Sequence, residues 1–255
     1  FTIGVASGDP LPDSVMLWTR LVADPLAPSG GLPAKPVPVT WEVATDEGFD
    51  AVVAAGSEVA EPRWGHSVHA DATGLDPNTW YWYRFSVGAA PFITTRTRTM
   101  PAFDATLDTL RMAVASCQEF NSGTYAAYGA MAEDDLDLVV FLGDYIYEHG
   151  GGLMEPKVPP RVTETLDDYR VQYAAYKRNP LLQRVHRQVP WVVTWDDHEV
   201  GNNYAGKVPQ EPESTTGYAN RRSAAYQAYW EHMPIRTGPP EADGSLQIYR
   251  SVRVG

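Results

Sequence analysis

Cys117, Asp144, Tyr147, Asp197 and His198 are the residues of this 255-residue chain whose types could do chemistry together. A thiol, two carboxylates and a phenol are strong donors to a cation. The thiol is the most telling, because a metal deprotonates a coordinating cysteine outright. An imidazole beside such donors can act as a general acid or base. The amides of "GNN", residues 201–203, add oxygen donors that suit a hard cation such as Ca²⁺. Each residue alone has a plainer reading. Cys117, the single cysteine, could be a small buried hydrophobe, a reactive thiol or a ligand. Asp144 could be a turn residue after Gly143, Tyr147 a packed aromatic, and His198 a satisfied core or surface side chain. Their joint occurrence at the ends of apolar runs points to a site.

Three stretches position them: "VASCQEFNSG" (114–123), "VVFLGDYIYEHG" (139–150) and "VVTWDDHEVGNN" (192–203). Each begins as a short apolar run, the pattern of a buried strand, and breaks into polar groups. Parallel strands deliver their C-terminal residues to one edge of a sheet, where α/β proteins place their ligands. Gly143 lets the chain turn sharply so that Asp144 points back over the strand end. One helical turn then puts Tyr147 on the same side, with Tyr145 left to pack elsewhere. Successive side chains of an extended chain face opposite ways, so at most one of Asp196 and Asp197 belongs to the site.

The rest of the chain divides by texture. Over residues 1–105, strands such as "SVMLWTRL", "VPVTWEVATD", "SVHADATG" and "TWYWYRFSVG" alternate with Gly, Pro, Asp and Asn turns. That spacing predicts an all-β sandwich. The turn Asp76-Pro77-Asn78, followed by Tyr81 and Tyr83 on one strand face, resembles fibronectin type III domains, with a tyrosine-corner candidate. From 106 to 255 strands alternate with helical spacing, which predicts an α/β domain. The stripe Tyr169, Tyr173 and Tyr176 reads as core. A polar, proline-containing insertion lies at 153–165. The net charge of −12 argues against a nucleic-acid partner, which needs clustered Lys and Arg, and is compatible with divalent cations. No apolar run reaches the roughly 18 residues a membrane helix needs.

"GDYIYE" and "WDDHEVGNN", with a preceding strand that ends in "SCQ", resemble the PhoD-type alkaline phosphatases, a branch of the calcineurin-like metallophosphoesterases. "GVASGDP" (4–10) and "WTR" (18–20) are similar to the opening of that family's Ig/fibronectin-like domain, so the resemblance covers essentially the whole chain. Ordinary metallophosphoesterases carry D-x-H, G-D-x-x-D and G-N-H-[DE] at these strand ends. Here Cys117 stands in the first motif, Asp144 with Tyr147 in the second, and Asp197-His198-Glu199 in the third. The departures imply a change of metal. On the resemblance, Fe(III) is held by Cys117, Asp144 and Tyr147, with Ca²⁺ alongside. Asp144 would bridge the cations, Asp197 and Asn202 would serve calcium, and His198 would face the phosphate and assist the leaving group.

The implied fold is an N-terminal Ig/fibronectin III-like β-sandwich (1–105) followed by an α/β metallophosphoesterase domain (106–255), a β-sandwich flanked by helices and incomplete in this chain. The implied activity is metal-dependent hydrolysis of phosphate mono- or diesters by a secreted enzyme. One alternative is the secreted actinomycete phospholipase D branch of the same fold, acting on phosphatidylcholine-type lipids in transient contact with a membrane surface. Another is a secreted, non-catalytic binding module that calcium only stabilises. Calcium alone leaves Cys117 unexplained, because Ca²⁺ takes oxygen ligands. The end of the chain, "SLQIYRSVRVG" (245–255), has the apolar pattern of a new strand in Leu246, Ile248, Val252 and Val254. A second polypeptide fragment is therefore expected to complete core and site.

Overall fold

The computed structural model describes residues 1–27, 29–88, 93–120, 123–149, 162–210 and 217–255. Most of the 153–165 insertion lies outside these residues. The N-terminal part holds β1 (Val5–Gly8), β2 (Ser14–Arg20), β3 (Val37–Ala44), β4 (Val52–Ala60), β5 (Ser67–Thr73), β6 (Trp80–Ser86) and β7 (Thr95–Arg98). Alternation decides which faces turn inward. On β6, Tyr81, Tyr83 and Phe85 are buried, while Trp80 and Trp82 are half-buried on the other face. The Tyr81 hydroxyl accepts the Asp76 amide at 2.8 Å and fixes the turn before the strand. Strand β4 was not anticipated. Its small residues alternate weakly and most of it is exposed at a sheet edge.

The α/β part contributes β8 (Met112–Ala115), β9 (Leu138–Leu142) and β10 (Trp191–Thr194), with helices α1 (Ala126–Met131), α2 (Leu166–Lys177), α3 (Pro180–His186) and α4 (Tyr218–His232). The three strands run parallel in the order β10-β9-β8, with Val140 beside both Val192 and Val114. Local chemistry starts α2 and α3. Thr165 and Asp168 form a reciprocal capping box on α2, and the Asn179 side chain caps α3 with Pro180 at its first position. The α2 stripe Tyr169, Tyr173 and Tyr176 is fully buried.

Strand order joins the two parts. One sheet reads β4-β3-β6-β7; the other reads β5-β2-β1-β10-β9-β8. The sandwich core lies between the sheets, with Val15, Leu17 and Val68 facing Val39, Val43 and Tyr83. The longer sheet continues straight into the strands that carry the candidate site. The joint is narrow: Gly8 pairs with Trp191, and the Asp9 amide donates to the Trp191 carbonyl at 3.0 Å. A Cβ on Gly8 would lie 2.2 Å from the Pro234 carbonyl oxygen, so only glycine fits. Asp9 is buried, and its carboxylate accepts from Arg250 at 2.7 Å and from the Arg236 amide at 2.8 Å. The "SGDP" motif is thus a clasp between the two parts.

The same clasp corrects the expectation for the end of the chain. Residues 245–255 form no strand. Leu246 and Ile248 are buried, but Arg250 holds the segment by bonding Asp9 and the Val193 carbonyl rather than by a ladder.

Lys177, at the end of α2, sits in the seam between the parts. Its ammonium lies 4.3 Å from the Trp18 ring centre and 5.0 Å from that of Tyr145. Burial pushes its pKa down to about 7. The folded value is below the unfolded one, so the cost of burying the charge is felt in full below pH ~7 and recedes as pH rises toward ~10.4. Between pH ~7 and ~9.5 this group should add on the order of 2–4 kcal/mol to stability. Urea midpoints of the wild-type protein should therefore rise over that interval relative to those of Lys177→Met. Parallel pH profiles for the two proteins would exclude it.

Candidate metal centre

The parallel register brings the three strand ends to one edge. The β8–β9 ladder continues past the strands: the Cys117 amide donates to the Gly143 carbonyl at 3.2 Å and the Gln118 amide to that of Asp144 at 3.0 Å. Cys117 and Asp144 both have left-handed backbones, with φ of 57° and 55°. Gly143 has φ of 104°, and a Cβ there would lie 2.4 Å from the Asp196 amide nitrogen. The chain must turn tightly here, against the end of β10, to aim Asp144 across the strand ends.

The side chains then meet. Asp144 Oδ2 accepts from the Cys117 thiol at 3.4 Å and from the Tyr147 hydroxyl at 3.2 Å. Its other oxygen accepts the His198 amide at 3.4 Å. Asp144, Asp197 and His198 present ligand atoms within 4.8 Å of one another. Asp144 is buried, Cys117 exposed, and Tyr147, Asp197 and His198 lie between. Tyr145 is fully buried in the core, as expected. Asp196 points to solvent, and Asp197 is the member of the pair in the cluster. Asn202 differs from the other candidates: its side-chain amide donates to Gln210 at 2.6 Å, and it is the backbone amide that faces the site.

Two glutamates that sequence reasoning left without a role organise these groups. Glu199, 1% exposed, accepts the amides of Asp144 at 3.0 Å, Tyr145 at 2.5 Å and Asp196 at 2.8 Å, tying the end of β9 to that of β10. Burial drives its pKa up to about 7, against the three amides that favour the charged form. Glu148, 5% exposed, bonds His198 Nδ1 at 2.7 Å through one oxygen and accepts the Asn202 amide at 2.8 Å through the other. Burial alone would raise the Glu148 pKa, but these two bonds hold it below the ordinary carboxylate value. Burial likewise opposes protonation of His198, and the Glu148 carboxylate outweighs it, so the imidazole pKa is raised. His149 also lies close: its ring centre is 5.9 Å from that of His198.

The donor set fits a highly charged cation. A thiol, a phenol and a carboxylate surround one point, and a second carboxylate stands beside them. Burial, then Asp144, then Cys117 push the Tyr147 phenol well above its ordinary range, so a phenolate here needs a compensating positive charge. Among the described residues no Lys or Arg pairs with Asp144 or Asp197. A cleft of about 470 Å³ opens beside the cluster, lined by Cys117, Tyr147, Tyr125, Tyr128 and Met131 together with the polar Gln118 and Glu119. It offers aromatic and aliphatic surface, with polar groups among it, to whatever the cluster holds.

Comparison with known proteins agrees with this layout. The profile of the PhoD-like phosphatase family matches residues 112–255, and that of the PhoD-like phosphatase N-terminal domain matches residues 1–101. The chain is 49% identical to alkaline phosphatase D of Bacillus subtilis (strain 168), over 100% of this chain and 45% of that protein. It is also similar to a solved structure described as "Structure of PhoD", with a TM-score of 0.94 at 49% identity, over 98% of this chain and 49% of the other. The chain thus spans about half the length of the relatives it matches.

Proposed function

Because the chain belongs to the PhoD-like phosphatase family, we propose that it supplies the metal-holding edge of a phosphoesterase that hydrolyses phosphate esters. The convergence of Cys117, Tyr147 and His198 on Asp144 carries this proposal. Cys117, Asp144 and Tyr147 would hold Fe(III), for which thiolate and phenolate are charge-rich partners. Asp144 and Asp197 would hold Ca²⁺, with Asn202 joining after its amide leaves Gln210. Such cations neutralise phosphate oxygens and supply a nucleophile at ordinary pH. The chain's own residues do the rest. His198, with Nδ1 tied to Glu148, presents Nε2 outward to protonate the departing oxygen. Tyr147 packs against its ring at 4.2 Å between centres. The cleft beside Cys117 and Tyr147, with Tyr125, Tyr128 and Met131 in its lining, receives the organic part of the ester.

Two coarser features belong to the same proposal. The face-to-face packing of the two sheets and the Tyr81–Asp76 bond support an Ig/fibronectin III-like kinship for the N-terminal part. The exposed apolar side chains Met112, Val114 and Leu142, on β8 and β9, support a further polypeptide segment lying over this face.

The test is metal content together with turnover. The purified protein should contain iron and calcium, show a visible charge-transfer band that Cys117→Ser bleaches or shifts, and hydrolyse a phosphomonoester. A phosphodiester and a phosphatidylcholine assayed in parallel define the substrate class. Native mass spectrometry of the same active sample should show a second segment. Stoichiometric zinc without iron would exclude the metal assignment, and metal-loaded protein without turnover would exclude catalysis.

A further inference from the structure

Glu148 is not among the donors gathered on Asp144; its carboxylate groups instead with the ring nitrogens of His149 and His198, all within 4.8 Å, and it is almost wholly buried. A buried carboxylate is expensive unless it is bonded, so its partners indicate its purpose. There are two. His198 Nδ1 lies 2.7 Å from one oxygen, and the Asn202 amide lies 2.8 Å from the other. No arginine or lysine pairs with it among the described residues. The His198 ring is further confined by Tyr147, 4.2 Å away between centres, and its backbone amide by Asp144.

We infer that Glu148 is the positioning residue of the reaction: it fixes His198 with Nδ1 protonated and Nε2 turned to the ester, and through Asn202 it locks the loop after β10 in the same register. A carboxylate that accepts the Nδ1 proton sets the imidazole tautomer and its rotation. Nε2 has no hydrogen-bond partner among the described residues, so it is the nitrogen available to the leaving group. In the hydrolysis step the P–O bond to the leaving group breaks, the Nε2 proton of the imidazolium passes to that oxygen, the water oxygen forms the new P–O bond, and a proton released by that water restores Nε2–H. Glu148 keeps its own proton count throughout. This assignment rests on the proposed role of His198.

The experiment is a double-mutant cycle in the full, metal-loaded protein, with p-nitrophenyl phosphate and an alkyl phosphate as substrates. Glu148→Ala should lower kcat for the alkyl ester by about 10–100-fold with KM little changed. The nitrophenyl ester, whose leaving group needs little protonation, should lose much less. Glu148→Gln keeps an acceptor for Nδ1 and should recover most of the loss. In a His198→Ala background, Glu148→Ala should add almost nothing, because groups that act through one another are not additive. A merely structural role would slow both esters alike, lower metal content and add to the His198→Ala loss; that result overturns the inference. If His198→Ala itself leaves turnover intact, the proposed role of His198 fails first and that of Glu148 falls with it. The Gln variant guards against misfolding of the Ala variant, since it preserves the volume of the buried side chain.

Discussion

His198→Ala should lower turnover by roughly 10²–10⁴-fold, the range for a lost general acid or base, while the protein keeps its metals. The geometry motivates both halves of this result. His198 takes part in the cluster through its backbone amide to Asp144, which alanine retains. Its side chain hydrogen-bonds only Glu148 among the described residues and packs on the Tyr147 ring, beside the Asp144 and Asp197 carboxylates rather than among the donors proposed for iron. Truncation therefore removes a proton donor without removing a donor from the iron-holding set. Steady-state kinetics on a phosphomonoester, with iron and calcium measured on the same sample, checks it. Undiminished turnover would take His198 out of the mechanism.

The second large effect concerns stability. Glu199→Ala should cost at least about 3 kcal/mol, because three backbone amides lose their acceptor in a buried setting at about 1–3 kcal/mol each. The loss should spread to function, since those amides belong to Asp144, Tyr145 and Asp196 and hold the turn that aims Asp144. Glu199→Gln should be milder. Its amide oxygen can still take the Asp144 and Asp196 amides, which share one oxygen in the native protein, but its NH₂ would face the Tyr145 amide. Urea midpoints of the three proteins, with their metal contents, test this order. An alanine variant as stable as the wild type would mean that water or a backbone shift satisfies the amides.

What was legible in the sequence follows from the range of the forces involved. Leu138–Leu142 and Trp191–Thr194 could be read as strands because an apolar run that stops at a glycine or a pair of acids marks both burial and an edge. Tyr169, Tyr173 and Tyr176 could be read as core because helical period alone puts them on one face. The meeting of Cys117, Asp144, Tyr147 and His198 needed only that those strands be parallel neighbours. The roles of Glu148 and Glu199 could not be read. A glutamate in a sequence carries no sign of burial, and the partners that hold these two come largely from another strand end: the Asp144 and Tyr145 amides for Glu199, the His198 ring and the Asn202 amide for Glu148. The pairing of Gly8 with Trp191 was equally hidden, as a one-residue bridge has no periodicity. The segment 245–255 misled in the opposite direction: Leu246 and Ile248 imitate strand alternation, while the Arg250–Asp9 ion pair fixes the chain.

The Gly8–Trp191 joint also bears on how such a protein could be taken apart or recombined. The two family profiles meet between β7 and β8, which suggests interchangeable modules. The hydrogen bonds do not respect that seam. Cutting there would strip β10 of its neighbour β1 and turn the strand that leads to Asp197 and His198 into an unpaired edge, open to capture by other chains. A chimera that borrowed its N-terminal part from elsewhere would need a glycine level with Trp191 and an acid beside it to receive Arg250. What would have to be transplanted is the clasped pair, because neither part carries both sides of the joint.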